Sequence, residues 1–342
     1  MTTKRNALPL YRQVLSDAWR LTLTHKHLWI FGFFATFIGF GGVSEVFFGA
    51  YNRFADVLPS SVGIQETPLL MLPGFATIRA LISLSPHPIV SLVFFTAAVV
   101  LLFAVFAWII SLAVGALVAS IRKIERGGTP NFSEGLRAGS TAVGRVFSIN
   151  ILAKIAVGVA FLLTGANLMN ILLDRSWVSA FFFLASYVVF TLLAIAISLI
   201  SVYATNSTVV DELPVVPSLN QGLHLLKKNW LISLEMMIFL LLINVGLAIL
   251  ALICAMVLSV PLVFLFLFAA VIKSGALMTV MITLTLIMLI AVMVIAGSFL
   301  TTFQASTWTL LWIRLSGREA HHPKIVRVAE WLQQKLNGKL MG

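Results

Sequence analysis

Residues Ser198–Trp230 read S-L-I-S-V-Y-A-T-N-S-T-V-V-D-E-L-P-V-V-P-S-L-N-Q-G-L-H-L-L-K-K-N-W. An apolar helix ends in a run of Ser, Thr and Asn. The chain then crosses a short connector marked by Asp211, Glu212, Pro214 and Pro217. An amphipathic helix follows, with Leu219 and Leu223 four apart on one face, and Lys227 and Lys228 lead into the next apolar run. This pattern of span, connector, amphipathic helix and span recurs along the chain. Its recurrence predicts an all-α, polytopic membrane protein.

Composition agrees. The chain has 342 residues, 60% of them hydrophobic and only 10% charged, with a mean hydropathy of +1.04. Soluble domains carry roughly 25% charged residues, so lipid must cover much of this surface. The net charge of +11 is expected to sit in cytoplasmic loops against anionic headgroups. Nucleic acid is not expected as a partner, because no basic block is interleaved with aromatics on a polar module. Cys254, the single cysteine, lies in the apolar run A-L-I-C-A-M-V; it permits no internal disulfide and no cysteine metal cluster. No cleavable signal peptide is expected, since the first apolar run starts only at Leu28.

Residues 1–27 read as a basic interfacial helix, over Pro9–His25. Residues 28–121 hold the first two spans, Leu28–Val43 and one within Ile89–Ile121, joined by a long outer loop, 44–88, punctuated by five prolines. Residues 122–208 hold an amphipathic helix and spans three and four, near Val146–Ala166 and Ser179–Thr205. Residues 209–315 hold another amphipathic helix and spans five and six. Residues 316–342 form a basic amphipathic tail, helical over Pro323–Asn337.

The run from Lys228 to Lys273 contains one charged residue, Glu235. As one helix it would extend roughly 65 Å, twice the hydrocarbon thickness of about 30 Å. A break at Ser259-Val260-Pro261 is therefore expected, because proline interrupts the helical ladder. The segment 259–272 would then be an extra apolar piece, re-entrant or interfacial. With six spans and both termini in the cytoplasm of a cell-membrane protein, 18 Lys and Arg fall inside and four outside. Counting 262–272 as a seventh span would place the basic tail outside, against the positive-inside bias.

The repeat is visible at the residue level. Pro130-Asn131-Phe132-Ser133-Glu134-Gly135-Leu136 aligns with Pro217-Ser218-Leu219-Asn220-Gln221-Gly222-Leu223. Asn131 with Glu134, and Ser218 with Gln221, have the spacing of a capping box. The span exits repeat as well: Ser198, Ser201, Tyr203, Asn206 and Ser207 align with Ser298, Thr301, Phe303, Ser306 and Thr307. The predicted unit is an interfacial helix, a span, an outer turn and a span, used three times with the first copy diverged. Taken together, P-S-L-N-Q-G-L-H-L-L-K-K-N-W after V-V-D-E, and the closing T-L-L-W-I-R-L, resemble the six-helix membrane domain attached to some bacterial glycerophosphodiester phosphodiesterases. The resemblance implies a six-helix membrane fold. The catalytic barrel of those enzymes has no counterpart here, so their activity is not carried over.

No H-E-x-x-H, P-loop or G-x-S-x-G signature occurs, and no enzyme activity, cofactor or metal is expected. Two sets of residues are candidates. Ionisable groups inside spans are functional suspects, which singles out Lys154 and Glu235, with Asn150 one turn from Lys154. Interfacial snorkelling is the alternative for both. The hydroxyl-bearing exits, Ser198, Ser201, Thr205, Ser298, Thr301 and Ser306, would either bond neighbouring helices or line a cytoplasmic vestibule. The function expected is a non-catalytic membrane module that binds lipid, through anionic headgroups, or a protein partner. The alternative is a transporter for a small or amphipathic solute.

Overall fold

A computed structural model describes residues 10–39, 88–174, 176–272 and 275–317. Among them the helices are α1 (Leu10–Thr24), α2 (Leu28–Gly39), α3 (Pro88–Glu125), α4 (Phe132–Asp174), α5 (Trp177–Val210), α6 (Val215–Lys228), α7 (Trp230–Val271) and α8 (Gly275–Ser316). Five of these, α3, α4, α5, α7 and α8, are long and apolar enough to cross a membrane. The chain is an all-α polytopic membrane protein. The remainder of the expected first span beyond Gly39, residues 44–87 of the long loop, and the tail helix over Pro323–Asn337 lie outside the described residues.

Burial divides each long helix in two. Large apolar side chains are exposed between residues 93 and 109 of α3, 151 and 168 of α4, 177 and 193 of α5, and 241 and 268 of α7. Such surfaces suit hydrocarbon. The other stretches are packed and unusually polar inside. Residues 203–208 of α5 and 301–304 of α8 are buried, together with Ser306, Thr307 and Thr309. Some of these hydroxyls and amides bond their own helix: Ser306 Oγ donates to the Thr302 carbonyl at 2.7 Å, Thr307 Oγ1 to Phe303 at 2.9 Å and Asn206 Nδ2 to Val202 at 2.9 Å. Others reach a second helix, as Thr208 Oγ1 does in donating to Ser218 at 2.7 Å. The chain accordingly forms two compact units. One draws on residues 10–28, 111–243 and 302–317, the other on 29–39, 88–110 and 244–301.

In the second unit, Thr36 pairs with Thr301 through their hydroxyls at 2.9 Å, and Trp29 packs edge-on to Phe299. The first unit shows one arrangement three times: a short amphipathic stretch lies against the end of a long helix. The opening turns of α4 meet α3 at Gly139, where a Cβ would come within 2.5 Å of the Leu112 carbonyl oxygen and 2.8 Å of the Ala116 nitrogen. α6 meets α5 at Gly222, where a Cβ would be 2.8 Å from the Ile200 carbonyl oxygen. α1 meets the end of α8, where the Arg314 guanidinium forks onto the Asp17 carboxylate at 2.6 Å and the Gln13 side-chain oxygen Oε1 at 3.1 Å, and Trp19 stands edge-on to Phe303. The first copy of the repeat therefore packs on the last exit.

Three expectations need correction. First, the break at Ser259-Val260-Pro261 is absent: α7 runs unbroken for 42 residues with Pro261 inside it. Proline removes one hydrogen bond, to the Val257 carbonyl, but long apolar helices tolerate this where nearby groups re-satisfy the backbone. Residues 259–271 thus belong to α7 rather than to a separate apolar piece.

Second, the amphipathic stretch before the third span is not a separate helix, since α4 continues through it to Asp174. Nothing in A-V-G-R-V-F-S stops it, whereas α6 ends at Asn229, whose N–H reaches back to the Leu225 carbonyl.

Third, Ser218 and Gln221 form no capping box. α6 starts three residues earlier, at Val215 after Pro214, because proline is tolerated in a first helical turn. Ser218 is consequently buried within the helix and accepts from Thr208 Oγ1 at 2.7 Å. At the other copy half the box exists: the Glu134 carboxylate accepts the Asn131 N–H at 3.2 Å.

Candidate functional site

The intramembrane candidates occupy unlike surroundings. Glu235 is buried in the first two turns of α7, beside Ile232, Ser233 and Met236, all fully or nearly fully buried. Lys154 stands on an exposed face of α4. Asn150 turns its amide to its own helix, donating to the Val146 carbonyl at 3.0 Å. Glu235 thus sits in the packed stretch of its helix, and Lys154 at the start of the exposed apolar stretch of its own.

The hydroxyl exits are mostly internal. Ser201, Thr205, Ser298, Thr301 and Ser306 are buried, and Ser198 is exposed. Ser298 donates to the Val294 carbonyl at 2.7 Å. Around Ser201 and Thr205, Tyr203 bonds Ser233 on α7 at 2.7 Å, and Ser207 donates to Gln221 on α6. None of the six lines either of the two clefts described next.

The first cleft, about 400 Å³, runs between α4 and α5 beside Asn167, Ser179, Phe182 and Ser186. Its walls are mainly apolar side chains among exposed neighbours, as expected of a groove open to acyl chains.

The second cleft, about 460 Å³, lies where the end of α3, the opening turns of α4 and the end of α5 come together. Arg122, Lys123 and Arg126 come from the α3 end, Thr141 and Arg145 from α4, and Glu212 from the residues just beyond α5. Local sequence explains each placement. Arg122 is the first charged residue after the 34-residue apolar run of α3, Pro88–Ile121. Arg126 follows one turn later, its N–H bonded to the Arg122 carbonyl, so both guanidiniums share a face. Gly139 lets α4 approach α3 closely enough to bring Arg145 alongside.

The charges in this cleft are unequally satisfied. Lys123 Nζ is held by Glu134 at 2.6 Å. Arg145 Nη1 donates to the backbone carbonyl of Glu212 at 2.6 Å and to that of Leu213 at 3.4 Å, so it fixes the connector without meeting a carboxylate. Glu212 has φ 58°, the one non-glycine residue in the left-handed region among those described. That conformation is sparsely populated for Glu and is sustained by its surroundings. Arg122 Nε is buried with no hydrogen-bond partner among the described residues.

The sequence reading counted these four cations as loop charges and missed the cleft. The signal was present in the four-residue spacing of Arg122 and Arg126. What brings Arg145 to them, the glycine contact between α3 and α4, is a tertiary feature. Among the described residues no three His, Cys, Asp or Glu side chains gather in a metal-holding group. Comparison with protein-family models, with curated proteins and with solved structures gives no match.

Proposed function

We propose that the protein is a non-catalytic, multi-pass module of the cell membrane that binds anionic lipid headgroups at its cytoplasmic face. The observation that carries this reading is the convergence of Arg122, Lys123, Arg126 and Arg145 on one cleft directly beyond the apolar run of α3. Cations at that boundary meet the headgroup layer, and positive charge there marks the cytoplasmic side. The resemblance to a six-helix membrane domain fits a membrane module without supplying a chemistry.

Native mass spectrometry of the full chain released from membranes of mixed composition tests this. Anionic phospholipid should be retained in preference to phosphatidylcholine. Equal retention of both contradicts the reading.

A further inference from the structure

Resting on that reading and sharpening it, we infer that the cleft between α3, α4 and the end of α5 is a discrete phosphate-binding site, with Arg122 and Arg126 as its ligating side chains. Three observations carry this. First, the two guanidiniums are four residues apart on one helical face, a like-charge arrangement that destabilises a helix unless an anion bridges it. Arg122 Nε is buried with no hydrogen-bond partner among the described residues, and the exposed Arg126 lines the same cleft. A planar guanidinium with a buried, unused donor is matched by the oxygens of a phosphate.

Second, the neighbouring carboxylates do not take this role. Glu134 is engaged by Lys123 and Asp211 accepts from Gln221 Nε2 at 3.2 Å, while Glu212 offers Arg145 its backbone oxygen. Asp211 and Glu212 stand near enough for their charges to act on Arg122, but neither carboxylate hydrogen-bonds to it. Four cations against these three acids leave the cleft positive. Third, the connector wall of this cleft of about 460 Å³ has an uncommon backbone conformation at Glu212, whose carbonyl Arg145 holds at 2.6 Å. Strained backbone of this kind gathers at ligand sites.

The shared chemistry is a phosphate group, carried by a lipid of the adjoining leaflet or free in solution. The experiment titrates the full chain in detergent with phosphatidylglycerol, phosphatidylcholine or inorganic phosphate, and counts bound molecules by native mass spectrometry. The expected result is one saturable phosphatidylglycerol per chain, bound about tenfold more weakly by R122Q or R126Q, as loss of a charge-assisted hydrogen bond predicts. R122K keeps the charge without the fork and should fall between. R137Q removes the same charge from an exposed position outside the cleft lining and should change binding by no more than about twofold.

Displacement of the lipid by inorganic phosphate supports the site and assigns free phosphate as a ligand. Equal weakening by R137Q overturns the site but leaves diffuse binding of anionic lipid standing. No difference between phosphatidylglycerol and phosphatidylcholine overturns both.

Discussion

At the scale of single residues, the packed unit depends on polar groups whose protonation or donor state is fixed by position. His27, at the join of α1 and α2, has its Nε2 buried without a partner among the described residues, and its ring stands edge-on to His25 with centroids 5.9 Å apart. Burial first, and the charge of His25 second, hold the His27 imidazole below its ordinary value of 6.5. The folded state therefore binds a proton less readily than the unfolded chain, and stability rises with pH across the interval between the two values. The contribution is complete above the ordinary value. It is lost as pH falls through that value towards the folded one. Thermal unfolding in detergent between pH 5 and 8 should show this fall, and His27→Phe should flatten it; an unchanged slope in the variant would remove His27 as its source. The sequence placed His27 just before the first apolar run, but not its buried nitrogen, which is a tertiary feature.

At the scale of elements, glycine positions separate close helix contacts from idle ones. Gly139 faces backbone atoms of α3 at distances no Cβ can accept, whereas Gly144, one turn further along α4, has nothing within 4 Å. Gly139→Ala should lower stability by about 1–3 kcal/mol through overpacking, less a fraction of the roughly 1 kcal/mol of helix propensity gained. Gly144→Ala should gain up to about 1 kcal/mol. Denaturation of the two variants side by side checks the contrast, and similar effects of both would contradict the packing described. Helix positions were legible from apolar periodicity and length: α1 and α5 lie within a few residues of the expected Pro9–His25 and Ser179–Thr205. The ends of α4 and α7 were not. A local rule about Pro261 overestimated its power to break a long apolar helix, and the repeat alone could not show that α4 runs straight through its amphipathic turns. The capping-box spacing gave half a box at Asn131 and none at Ser218, where two nearby prolines move the start of α6.

At the scale of the whole molecule, the polytopic all-α class was legible in composition, since so few charges cannot cover a soluble surface. The repeat was legible as well, though not its consequence that α1 packs on the far end of α8 through Asp17 and Arg314. The site was less legible: sequence pointed to Lys154 and Glu235 as ionisable groups in apolar runs, while the basic cleft needed three helix ends in contact. Orientation joins these levels, because the proposed function requires the cleft to face the cytoplasm. The most direct test uses a Cys254→Ala background with a single cysteine at Thr129, exposed in the turn between α3 and α4, or at Trp177, exposed at the start of α5. In intact cells an impermeant thiol reagent should label Trp177→Cys and spare Thr129→Cys until the membrane is permeabilised. Labelling of Thr129→Cys in intact cells, with Trp177→Cys protected, would place the basic cleft outside and contradict the account.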